Sequence, residues 1–126
     1  MKNNLLAVLL AGIWVAISEY IRNEFLLKVY WINHFMSLGL AFVTTPFNGI
    51  LWLFWSFILV FLMFVLLKKF SLFETIAISW LFSFVLMWIV VYNLQVFPLR
   101  ILIFSVPLSL LEVFVAGVII KNLMKN

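Results

Sequence analysis

Glu112 is the residue whose position most demands a chemical explanation. It sits inside an otherwise apolar run, "LSLLEVFVAGVII", with Ser109 and Ser105 one and two turns earlier on the same helical face. A carboxyl deep in hydrocarbon costs about 3 kcal/mol and is normally paired, protonated or turned toward a cavity. Arg100, on the same helix, lies about 18 Å away by helical rise and cannot reach it. The expectation is therefore a neutral acid, hydrogen-bonded to Ser109, to a serine of the preceding helix, or to its own copy in a second subunit. Pro107 removes a backbone donor nearby and lets the helix bend. A buried carboxyl beside serines on a bent helix suits a proton-coupled carrier; its other use is as a polar clamp between helices.

A second constellation lies in "SEYIRNEFLLK", Ser18 to Lys28, where Glu19, Arg22, Glu24 and Lys28 crowd together in a chain that is 10% charged. Glu19 and Arg22 are three apart, and Glu24 and Lys28 four apart in the favoured order, so both pairs can form locally on a helix. At a membrane boundary such pairs fix depth. Arg100 is also available to Glu19 or Glu24, tying the first helix to the last. The functional version of the same residues is an outer vestibule made of Glu19, Arg22, Glu24, Lys28 and Arg100. His34 is the single histidine and has no partner at ligand spacing, so no metal is expected. No nucleophile–base pair and no glycine-rich phosphate loop can be assembled, so neither an enzyme nor a cofactor site is expected. The absence of cysteine excludes disulfides and thiolate chemistry.

These residues need elements to hold them, and composition says what kind. The chain of 126 residues is 68% hydrophobic, with a mean hydropathy of +1.31. Too few charged side chains remain to cover a water-soluble domain, so lipid is the main solvent. The basic residues are scattered at segment ends, which argues against nucleic acid as a partner despite the formal charge of +4. A single all-α membrane domain is expected, with four spanning helices at about 4–22, 46–67, 72–92 and 99–120. The intervening 23–45 is too apolar for a solvated loop and reads as an interfacial or re-entrant segment, anchored by Tyr30 and Trp31. Lys2 followed by Leu5 to Ile17 imitates a signal peptide, but an uncleaved first membrane helix is the expectation.

Thr45-Pro46 marks one helix start, and Ser71 with Glu74 makes a capping box at another. Lys2, Lys68, Lys69, Lys121 and Lys125 outnumber the basic residues of the other face, which predicts both termini in the cytoplasm of a bacterial inner membrane. Small residues recur in the first helix (Ala7, Ala11, Gly12, Ala16), the third (Thr75, Ser79, Ser83) and the fourth (Ser105, Ser109, Ala116). Those three are expected to pack together, and to mediate homo-oligomers or assembly with another membrane protein. The second, whose stretch "ILWLFWSFILVFLMFVLL" has Ser56 as its only small residue, is expected to face lipid on most sides. Serines such as Ser79 and Ser83 are expected to bond the carbonyl one turn back. Four short helices with one embedded glutamate resemble the small multidrug-resistance exporters in architecture, although those carry the glutamate in the first helix. No motif is shared, so no residue is carried across. A small carrier or channel centred on Glu112 is the functional expectation, with a non-catalytic assembly subunit as its rival.

Overall fold

The computed structural model describes residues 2–125. Five helices follow in order: α1 (Asn4–Leu26), α2 (Lys28–Ser37), α3 (Pro46–Leu66), α4 (Leu72–Asn93) and α5 (Leu99–Leu123). All but α2 are long and apolar enough to cross a membrane, which is consistent with a multi-pass membrane protein. No strand occurs among the described residues.

The helix starts follow their local chemistry. Asn48 donates its backbone N–H to Thr45 Oγ1 at 3.4 Å, and its side chain accepts from the Thr45 N–H at 2.9 Å, with Pro46 at the first helical position. Ser71 and Glu74 close the second capping box at 2.8 and 3.2 Å. The α4–α5 connection turns at Gln95, whose φ of 62° lets the Val96 N–H reach back to the Val91 carbonyl at 3.3 Å.

Successive spanning helices run antiparallel. Asn3 N–H donates to the Leu123 carbonyl at 2.7 Å and Lys125 N–H to Asn4 Oδ1 at 2.7 Å, so both ends of the bundle's chain meet at one face, the terminal end. The stripe of Ala7, Ala11, Gly12 and Val15 lets α1 approach α5 and α3 closely, and all four are buried. The buried residues of α5 include Val113, Ala116 and Ile120, with Gly117 turned toward α4 and α3. The small-residue faces expected to mediate assembly are thus largely buried within a single chain.

Two packing expectations are corrected. The second spanning helix, α3, leaves most of its surface exposed, as expected, but it is as much a part of the bundle as the others. Ser56, Leu59, Val60, Met63 and Phe64 are buried, and α3 is a principal partner of α1. Small residues on one helix of a pair suffice: Gly12 of α1 supplies the space that Phe57 of α3 fills. Conversely, α1 does not pack along α4; its main neighbours are α5 and α3, and α4 packs on α5. A methyl group at Gly12 would overlap the Phe57 ring. Gly12→Ala is expected to destabilise the bundle by about 1–3 kcal/mol, read as a lower melting temperature in detergent. A melting temperature equal to the parent's would show that the ring swings aside without penalty.

The boundaries also differ from expectation where it matters for function. α1 does not stop at residue 22; it continues through a wide π-helical turn, Ile21–Leu26. A second such turn, Leu81–Val85, interrupts α4. Each inserts an extra residue into the helical ladder and turns the following side chains to new faces, a feature frequent at functional sites. At this end, away from the termini, α2 lies across the bundle. None of its residues is fully buried. Trp31 holds it in place against Phe97 and Phe42, with ring centroids 5.8 and 6.0 Å apart.

Candidate functional site

Glu19 and Arg22 extend the buried stripe of α1, following Gly12 and Val15 at helical spacing. Helical side chains lean toward the helix N-terminus, so Arg22 runs back along α1 toward the middle of the bundle rather than out to the boundary. Its Nη2 pairs with Glu19 Oε1, and its Nη1 lies 3.5 Å from Glu112 Oε1. The guanidinium sits over the Phe84 ring, 5.2 Å from its centroid. Phe84 belongs to the π-helical turn of α4 and Arg22 to that of α1, so the two irregular turns meet at this contact. Asn23 completes the local frame, donating to the Glu19 carbonyl at 3.0 Å and to Glu19 Oε2 at 2.9 Å. Trp14 Nε1 donates to the Glu112 carbonyl at 2.9 Å and locks α1 to α5 beside the cluster.

Relative exposures of 2% for Glu19, 6% for Arg22 and 1% for Glu112 place all three inside the protein. This corrects three expectations. Arg22 is buried against α5 rather than exposed at the end of α1. Glu112 does have a cation within the bundle, supplied by α1. Arg100, offered as the link between first and last helices, is exposed and joins no ion pair among the described residues. The tie between α1 and α5 is made by Arg22 instead.

The serines also sort differently. Ser109 does not bond Glu112; its hydroxyl accepts from Trp80 Nε1 at 2.9 Å and donates to the Val106 carbonyl at 3.1 Å. Ser105 is buried and faces a cavity. Glu24 and Lys28 form the expected local pair at 2.9 Å, but about a third of each side chain stays exposed. They are boundary charges and no part of the buried cluster. Replacing both by Ala should change stability by under about 1 kcal/mol; loss of folding would mean the pair is buried. His34 is partly buried on α2, and no group of three or more His, Cys, Asp or Glu is placed to hold a metal ion among the described residues.

Above the cluster, toward α2, the bundle opens into a cavity of about 960 Å³. Glu19, Arg22 and Asn23 form part of its lining. Trp31, Phe42, Trp52, Phe84, Trp88 and Phe97 provide aromatic walls drawn from three helices and two loops, and Thr44, Thr45 and Asn48 add a polar edge. That volume suits a small organic molecule. Trp31 was legible as a boundary aromatic, but the other walls were not, because nothing in the order of residues shows that these rings converge.

No protein-family model matches the chain, nor does any curated protein or solved structure. Function therefore rests on what this site can do chemically. Burial of ions is expensive, and mutual attraction repays it only when the charges are well matched. One carboxyl would neutralise Arg22; the cluster holds two. The surplus charge in this low-dielectric interior has to be balanced by a proton or by a bound cation.

Proposed function

We propose that the chain is a small membrane carrier for hydrophobic monocations, whose movement is coupled to proton binding at the Glu19–Arg22–Glu112 cluster. The observation that carries this reading is the second carboxyl: two acids share one guanidinium directly beneath an aromatic cavity. Aromatic faces attract a cation through the ring quadrupole, more strongly where water is excluded. Glu19, at the floor, then offers the negative charge for the ligand's positive centre. An anion is disfavoured at Arg22, because two carboxylates, Glu19 and Glu112, already face its single positive charge. Proton and organic cation compete for the same surplus charge, so release of one favours uptake of the other.

The cluster and cavity are complete within one chain, so this carrier does not require a second copy. With the termini in the cytoplasm, as the basic residues predict, the cavity would open toward the outer face. Trp31, Trp52 and Trp88 line it, so binding can be followed by tryptophan fluorescence of the purified protein. Tetraphenylphosphonium and tetraphenylborate have nearly the same size and shape but opposite charge. Saturable binding of the phosphonium, at least about tenfold tighter than the borate, is expected from the local charge. Equal affinities would remove the charge selectivity, and no binding of either would remove the carrier reading.

A further inference from the structure

Ser56 in α3 behaves as membrane serines usually do, donating to the Trp52 carbonyl one turn back at 2.8 Å. Ser109 donates to a backbone carbonyl as well. Thr75 and Ser79 of α4 do not. Both are fully buried, and neither hydroxyl has a hydrogen-bond partner in the protein. Both carboxyl oxygens of Glu112 are likewise without a hydrogen bond. With the exception of His34 on α2, these are the buried side-chain oxygens and nitrogens left unsatisfied among the described residues.

They lie along one seam. The register of the antiparallel α4–α5 pair is set at one point by Trp80 Nε1 donating to Ser109 Oγ. It is set again where a Cβ at Gly117 would stand 3.0 Å from Leu72 and 3.3 Å from Ile76. Between these anchors, Ser79 comes level with Glu112, and Thr75 comes one turn nearer the terminal end, level with Ala116. Leaving a buried hydroxyl or carboxyl unpaired costs about 1–3 kcal/mol each, and native proteins meet such groups with internal water.

We infer that a row of internal water joins Glu112 to Ser79 and Thr75, and that it forms the proton's half-path between the cluster and the terminal end of the bundle. Each water has a carboxyl or hydroxyl on either side to accept from and donate to. A proton from the terminal end passes along the row to a Glu112 carboxyl oxygen. The groups facing Glu112 are Glu19 and Arg22 from α1, with Ser79 of α4 level with it; α3 holds no titratable side chain. The aromatic cavity and the water row then approach Glu112 from opposite ends. The proton-carrying role rests on the carrier reading, whereas the water itself does not.

The test separates the two. X-ray radiolytic footprinting oxidises side chains that touch bound water even where bulk solvent is excluded. Met63 is fully buried, and its Cε would lie 3.5 Å from a Cβ at Gly117, which makes it a reporter beside the row. Met63 should be oxidised in the purified parent, and oxidised at least about fivefold more slowly in Thr75→Val, which keeps the shape but removes the hydroxyl that anchors water. Thr75→Ser, which keeps the hydroxyl, should label as the parent does. An unlabelled Met63 in the parent, or equal labelling in Thr75→Val, would show a dry seam and overturn the proposal. In proteoliposomes, Ser79→Ala and Thr75→Val should slow pH-driven phosphonium uptake at least about tenfold. Phosphonium affinity should stay unchanged, and Ser79→Thr and Thr75→Ser should restore the rate. Labelled water with unaltered uptake in the variants would overturn its role as the proton path. Absence of uptake in the parent would count against the carrier reading, and with it the proton path, leaving the footprinting result for the water to stand.

Discussion

Arg22→Met should destabilise the protein by about 3–5 kcal/mol, the loss typical of removing one partner from a buried ionic group. The substitution leaves Glu19 and Glu112 facing each other with no cation inside the bundle. In a thermal melt of the detergent-purified protein, the shift should be on the order of 10 °C downward. The triple variant Glu19→Leu, Arg22→Met, Glu112→Leu removes every charge of the cluster at once. Because apolar replacement of a whole buried ionic group is often neutral or stabilising, this variant should melt near the parent. It should nevertheless lose selective phosphonium binding, since the floor of the cavity no longer carries charge. A parental melt for Arg22→Met alone would mean that the guanidinium is not the counterion of two buried acids.

Glu112→Gln should have the larger functional effect with the smaller structural one. Neither Glu112 oxygen makes a hydrogen bond within the protein, and the amide keeps the shape, so stability should change by under about 1 kcal/mol. Phosphonium still finds the aromatic walls, but Arg22 now neutralises Glu19, so its preference over the borate should shrink. Uptake into proteoliposomes driven by a pH gradient should nevertheless fall to the level of protein-free vesicles, because the site can no longer exchange its proton. Glu112→Leu should behave similarly in transport. A clamp would give a different pattern: Gln would act as the parent does, and Leu would loosen α1 from α5. Phosphonium uptake in Glu112→Gln that keeps the parent's pH dependence would end the carrier reading.

The order of residues alone determined the four long apolar helices, because a run of about 20 apolar residues has one stable form in hydrocarbon. The helix starts were legible for a similar reason. Thr45-Pro46 and Ser71 with Glu74 satisfy their own neighbours' backbone groups, and that chemistry acts over three residues. The Glu24–Lys28 pair was legible because it lies within one turn. Glu112 stood out because a charge within an apolar run is conspicuous whatever surrounds it.

Tertiary structure decided the rest. The direction of Arg22 depends on α1 continuing past the expected boundary and on α5 standing beside it, neither of which a local pattern records. A signal was present: Glu19 and Arg22 continue the spacing of Ala7, Ala11 and Val15, so the small-residue face already pointed them inward. What overrode it was the usual placement of charges at membrane ends. The packing of α3 was hidden because helix association depends on how one surface fits another, and Phe57 fills the space left by Gly12 on a different helix. The aromatic cavity was hidden most completely. Its aromatic walls come from three helices and two loops far apart along the chain, and only the fold brings those separate aromatics into one enclosure. Periodicity reports which face of a helix is buried; only the fold decides what that face is buried against.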